Sequence, residues 1–140
     1  MSVRVLGAAV LALLNPVETL TGLEVYDNRA DATANGAWFV LTQNLPRVSA
    51  RGEAGPVHGH RCTVRVLLVN QTASGVRKLA DYVVDALEGA RPSAAGWQTT
   101  PLRQFNEVTP YDDTDFTNPK TNLRYMVGVL EYEFTATRLP

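Results

Sequence analysis

The sequence predicts an α+β fold: a mixed, mostly antiparallel sheet with two helices packed on one face. Three observations predict it. Val76, Leu79, Ala80, Val83, Val84 and Leu87 fall at i, i+3, i+4, i+7, i+8 and i+11, one continuous apolar stripe of a helix. Two other segments alternate with the period of a strand. Cys62, Val64 and Val66 interleave with Arg61, Thr63 and Arg65, and Leu130, Tyr132, Phe134 and Ala136 interleave with Glu131, Glu133, Thr135 and Thr137. Last, the elements run helix, strands, strand, helix, strand, strand, which suits helices gathered on one face of a sheet. The 140 residues, 15.3 kDa, suffice for one core, so residues 1–140 read as a single domain.

Val3, Leu6, Val10, Leu13 and Leu14 sit near helical spacing, so an amphipathic helix opens at Ser2 as N-cap and ends before Pro16. Its apolar run, Val5 to Leu14, is shorter than the ~20 residues that span a bilayer. No small-residue cleavage pattern follows, although a cleaved signal stays open as an alternative. Leu23 to Tyr26 reads as a short strand after a Thr21-Gly22 turn, and Asp27 to Gly36 as a loop. Ala37 to Gln43, β-branched and aromatic, reads as a strand that continues over Arg47 to Arg51 after a break at Pro46. Glu53 to Gly59 reads as a loop or a hairpin tip. His60 to Asn70 is a strand that becomes fully apolar at Val66 to Val69, half covered at one end and buried at the other.

Thr72 or Ser74 caps the next helix, and Gly89 supplies the left-handed residue behind it. Ala90 to Gly96 is a linker and Pro101 to Val108 a strand. Thr109 to Asn122 reads as a long polar connection, of a length that is usually functional or disordered. Leu123 to Arg138 is the longest strand-like run. At about 3.3 Å per residue it outruns a small sheet, so it is expected to protrude or to pair beyond it. Gly128 marks a bulge or a close approach within it.

Thirteen basic and fourteen acidic residues leave a formal charge of −1, which draws the chain to neither nucleic acid nor membrane as a whole. A single cysteine excludes an internal disulfide and any Cys-pair zinc site. There is no G-x-S-x-G, Walker loop, G-x-G-x-x-G or H-E-x-x-H in the sequence. Asp112, Asp113 and Asp115 are oxygen-rich enough for a hard cation, but no Gly and closing Glu complete a calcium loop, so solvated turn residues are the simpler reading. His58 and His60 share a face of an extended segment without a third ligand at useful spacing. Cys62 reads as a small buried hydrophobe rather than as a nucleophile paired with His60. Trp38, Phe39 and Trp97 read as core or interface. No catalytic, cofactor-binding or metal residue is assigned, and the chain is not expected to be an enzyme.

Two charge blocks matter more. Asn44 to Arg65 holds Arg47, Arg51, Arg61 and Arg65 against Glu53; Glu107 to Asp115 holds Glu107, Asp112, Asp113 and Asp115 with no base. Each can be a solvated face. Together they suit a chain that joins copies of itself head to tail, Arg47, Arg51, Arg61 and Arg65 at one subunit edge and Asp112, Asp113 and Asp115 at the other, and a suitable rotation closes such contacts into a ring.

The order of features resembles the tail terminator proteins of long-tailed bacteriophages, the lambda-like tail-tube terminators. The resemblance is carried by the helix from about residue 2, Val25-Tyr26-Asp27 before a polar loop, the strand Trp38-Phe39-Val40-Leu41, the basic hairpin before Thr63 to Val69, the helix Gly75 to Leu87, and the last strand Tyr125 to Phe134 behind an Asp-rich segment. It spans nearly the whole chain and rests on pattern, with no single diagnostic motif; head–tail connector and tail completion proteins are of similar size. The resemblance implies a virion minor tail protein without cofactor, a ring, usually a hexamer, that caps the tail tube and ends its growth. Its partners would be further copies of itself, the tail tube protein and the head–tail connector protein, with DNA passing through the channel unread and no membrane involved. Assembly would take place in the host cytoplasm. A small metal-dependent hydrolase built on the Asp112–Asp115 segment and a secreted or periplasmic binding domain are the alternatives from other classes.

Overall fold

The computed structural model describes residues 3–30, 36–45, 59–117 and 124–139, with side chains of the segment 103–117 described as far as Asp112. The elements are α1 (Val3–Ala12), α2 (Asn15–Thr21), β1 (Val25–Asp27), β2 (Trp38–Asn44), β3 (His60–Asn70), α3 (Ala73–Leu87), β4 (Trp97–Thr99), β5 (Arg103–Thr117) and β6 (Arg124–Arg138). One sheet runs β1-β2-β3-β6, and the far side of β6 is shared by β5 and β4. The β1–β2 pair is parallel and the other pairs are antiparallel. The α+β class and the helices on one face are as the sequence predicts.

The main core shows why. Every second residue of three strands points to the helices: Phe39 and Leu41 of β2, Cys62, Val64, Val66 and Leu68 of β3, Leu130, Tyr132, Phe134 and Ala136 of β6. Against them pack Leu6, Val10, Leu14 and Val17 from the N-terminal helices and Val76, Leu79, Val83 and Leu87 from α3. Each such side chain contributes roughly 1.5–3 kcal/mol on burial. Thr72 caps α3 by accepting a hydrogen bond from the Gly75 amide at 3.0 Å, and Gly89 adopts φ +77° behind it. The opposite face of the sheet carries a smaller cluster, Trp38, Val40, Val69 and Tyr125, with Trp38 and Tyr125 edge-to-face at 5.1 Å.

Several expectations are corrected. The first helix ends at Ala12, before Pro16 as expected, but Pro16 does not end the helical region. It stands in the first turn of α2, where a missing N–H costs nothing, so a short break at 13–14 joins two helices. By length and composition the Val3–Thr21 stretch is apolar enough to cross a membrane, longer than the ten-residue run suggests. In the fold its buried residues belong to the core. The segment from Thr109 is no loop as far as Thr117: it continues β5, which forms a long hairpin with β6. For the same reason β6 does not outrun its sheet. It pairs with β3 from Met126 to Ala136 on one side, and with β5 and then β4 on the other. Gly128 marks a close approach, since a Cβ there would lie 2.6 Å from Cγ1 of Val76 on α3. The expected strand over Arg47 to Arg51 lies outside the described residues.

Candidate assembly surface

The register fixes where the two charge blocks go. Asn44 of β2 pairs with Thr63, and His60 of β3 with Ala136, so the β2–β3 connection leaves the sheet beside the end of β6. Thr117 of β5 pairs with Arg124 at the start of β6, so the β5–β6 connection leaves from the opposite end. The backbones of Asp112, Asp113 and Asp115 are all in β5, toward its hairpin end, and the Asp112 side chain is exposed. Arg47 and Arg51 belong to the connection at the other end and lie outside the described residues. The strand ends joined by the β2–β3 connection and the hairpin end of β5 are therefore at opposite ends of the sheet along the strands, which no sequence periodicity reveals.

Of the four arginines expected at one subunit edge, Arg61 and Arg65 lie within the described residues. Both are exposed on β3, an interior strand, on the face away from the helices. Arg61 forms an ion pair with Glu133, and its guanidinium lies 5.6 Å from the centre of the Phe105 ring. Arg65 is directly opposite Glu131 in the register, and Glu131 also accepts a hydrogen bond from Asn106 Nδ2 at 2.9 Å. Arg61 is thus engaged with a carboxylate of β6 and Arg65 faces one in the register, while Arg103 on β5 is opposite Glu133. Arg61, Arg103, Glu133 and Thr135 help line an open cavity of about 600 Å³.

Chemistry of the other candidates is limited by burial. Cys62 is fully buried, its thiol donates to the backbone carbonyl of His60 at 3.6 Å, and burial pushes its pKa up to about 11. A thiol held neutral in this way is a poor nucleophile. Tyr132 is shifted upward as well, first by burial and then by the carboxylates of Glu88 and Glu107. Among the described residues no three His, Cys, Asp or Glu side chains are grouped to hold a metal ion. His58 lies outside them. Trp38, Phe39 and Trp97 are core residues.

The feature that sequence reading missed is the exposure of β5. Phe105, Val108 and Tyr111 are 43%, 37% and 45% exposed, although Val129 and Val127, opposite the last two, are buried. All residues from 105 to 109, and 111 and 112, are exposed. The signal available in the sequence was an apolar residue every third position beside four acids, with no base between residues 104 and 119.

No protein-family model matches the chain, and no curated protein matches it. Solved structures do. One, whose description names no function, superposes with a TM-score of 0.73 at 14% identity, covering 100% of this chain and 99% of the other. Another is a chain in a structure described as the virion of a native gene transfer agent particle, with a TM-score of 0.54 at 18% identity, covering 91% of this chain and 92% of that one. At these identities the likeness is one of fold, and it extends over essentially the whole domain.

Proposed function

We propose that this chain is a structural protein of a phage-like virion, a tail terminator that assembles as a ring on the finished tail tube, stops its growth and offers the head connector a surface. The observation that carries the reading is the fold likeness, over 91% of this chain, to a chain of a gene transfer agent virion. The disposition of charge supports it. A basic stretch between β2 and β3 and an acidic stretch toward the hairpin end of β5 would let like copies meet through unlike surfaces, the requirement of a heterologous, ring-closing contact. Arg47, Arg51, Arg61 and Arg65 on one side and Asp112, Asp113 and Asp115 on the other are the residues proposed for it. A ring that matches a tube at one face and rejects a further tube ring at the other ends polymerisation.

Light scattering in low salt tests the reading. A particle several times 15.3 kDa that dissociates as salt rises is expected, because exposed charge pairs are screened. A monomer at all concentrations, which also fails to shorten tubes when added to polymerising tube protein, would remove the proposal. A head–tail connector role is separated from a terminator role by the same addition, since a connector leaves tube length unchanged. The hydrolase reading is tested by calorimetry with Mg²⁺, Ca²⁺ and Mn²⁺. Tight binding lost in Asp112→Ala and Asp113→Ala would favour it over assembly.

A further inference from the structure

We propose that a notch in the sheet between β4 and β5 binds a carboxylate on an acidic peptide segment of a partner protein. β4 follows β6 as far as Ala136, and β5 joins it only at Glu133, so the ladder along that side of β6 is broken at Phe134 and Thr135. The chain crosses the gap through Thr100 to Leu102 and is pinned there. The Thr100 amide donates to the Thr135 carbonyl at 2.9 Å, Thr100 Oγ1 accepts from the Thr135 amide at 2.8 Å, and the Leu102 amide turns away to the Ala90 carbonyl at 2.7 Å. The Leu102 side chain is fully buried in the core, which holds the turn in place. What remains is the open cavity of about 600 Å³, lined by Thr100, Pro101 and Thr135 together with Arg61, Arg103 and Glu133. A volume of this size admits a side chain with its backbone rather than a lone ion.

The charged side chains lining the notch are two guanidiniums and one carboxylate. Glu133 is paired with Arg61, whose guanidinium is also held over the Phe105 ring at 5.6 Å. Arg103, exposed and opposite Glu133 in the register, makes no ion pair among the described residues. Neighbouring carboxylates have their own partners. Glu131 is opposite Arg65 and accepts from Asn106, and Glu88 accepts from the Gln104 amide at 3.0 Å. The Thr100 hydroxyl, which accepts from Thr135, still has its proton to donate. The notch therefore holds a surplus of donors and one uncompensated guanidinium, which a further carboxylate complements with two parallel hydrogen bonds. The surplus is a single charge rather than a row of them. A nucleic-acid backbone presents a run of phosphates, which Glu131 and Glu133 on this face repel. A protein carboxylate is the fitting ligand. The exposed ring of Phe105 beside Arg61 offers the apolar atoms of the same segment a surface.

Fluorescence anisotropy of a labelled Gly-Ser-Glu repeat peptide tests this on the full chain. Its Gly-Ser-Gln counterpart, inorganic phosphate and a thymidine oligonucleotide serve as competitors, and the melting temperature as the control for folding. The Glu peptide is expected to bind, and the Gln peptide about tenfold more weakly. Arg103→Gln should weaken binding of the Glu peptide about tenfold at an unchanged melting temperature. Glu133→Gln should strengthen it about threefold, because it frees Arg61 and removes a repelling charge. Binding that is absent, that Arg103→Gln leaves unchanged, or that Glu133→Gln weakens overturns the inference. Displacement by phosphate or by the oligonucleotide at concentrations where the unlabelled Glu peptide competes also overturns it, since the notch would then be a general anion surface. Each of these outcomes leaves the ring reading standing, because that reading is decided by the mass of the wild type in light scattering.

Discussion

At the scale of single residues, close packing decides more than composition. Gly128 has room for no side chain, because Val76 of α3 stands where a Cβ would go. Gly128→Ala is expected to cost about 1–3 kcal/mol of stability in urea unfolding, and the double variant with Val76→Ala to recover most of it. Thr72→Ala, which removes the cap on the Gly75 amide, should cost about 1 kcal/mol in the same assay. Cys62 gives a pH signature. Its pKa is raised by burial from 9.0 to about 11, so the native state keeps the proton that the unfolded chain has lost. Its contribution is complete below pH 9 and declines as pH rises from there through 11. Unfolding titrations should show a steeper loss over that window for the wild type than for Cys62→Ala. Equal slopes would show that burial does not perturb the thiol.

At the scale of elements, the β5–β6 hairpin is where stability and the proposed assembly can be tested apart. Arg61 joins β3 to it through Glu133 and the Phe105 ring, but its side chain is 67% exposed. A pair so wet contributes at most about 1 kcal/mol. Arg61→Ala should therefore leave the melting temperature within a few degrees of the wild type. Weakened assembly in that variant, read by light scattering, would then report an intersubunit role rather than a folding defect. The hairpin also shows the limit of patterning. Thr109 to Asn122 looked like a loop because Pro110 and the acids depress strand propensity, yet β6 offers a complete partner edge as far as Arg124, and pairing overrides propensity. Pro16 illustrates the converse: the same residue that ends one helix is well suited to begin the next.

At the scale of the molecule, a polarised charge distribution on a nearly neutral chain has a kinetic consequence. The proposed association through unlike ends would be steered by attraction and should slow as salt rises, while the monomer fold, held by its apolar core, should not respond. Stopped-flow light scattering at 20 and 300 mM salt, with circular dichroism as control, checks both halves. Association rates independent of salt would argue for a contact that is apolar alone.

The sequence by itself determined the class of fold, the capped and striped helix α3, the inward row Cys62 to Leu68 of β3 and the alternating half of β6, because burial of one face writes a local period that can be read directly. It also placed acids and arginines in separate stretches. Only the tertiary structure decided what those stretches adjoin. Strand pairing acts across distant residues, so it alone made β5 a long margin, set Arg61 and Arg65 on an interior strand against the carboxylates of β6, and sent the two hairpins out of opposite ends of the sheet. Those relations come from register and strand order, which no local period encodes.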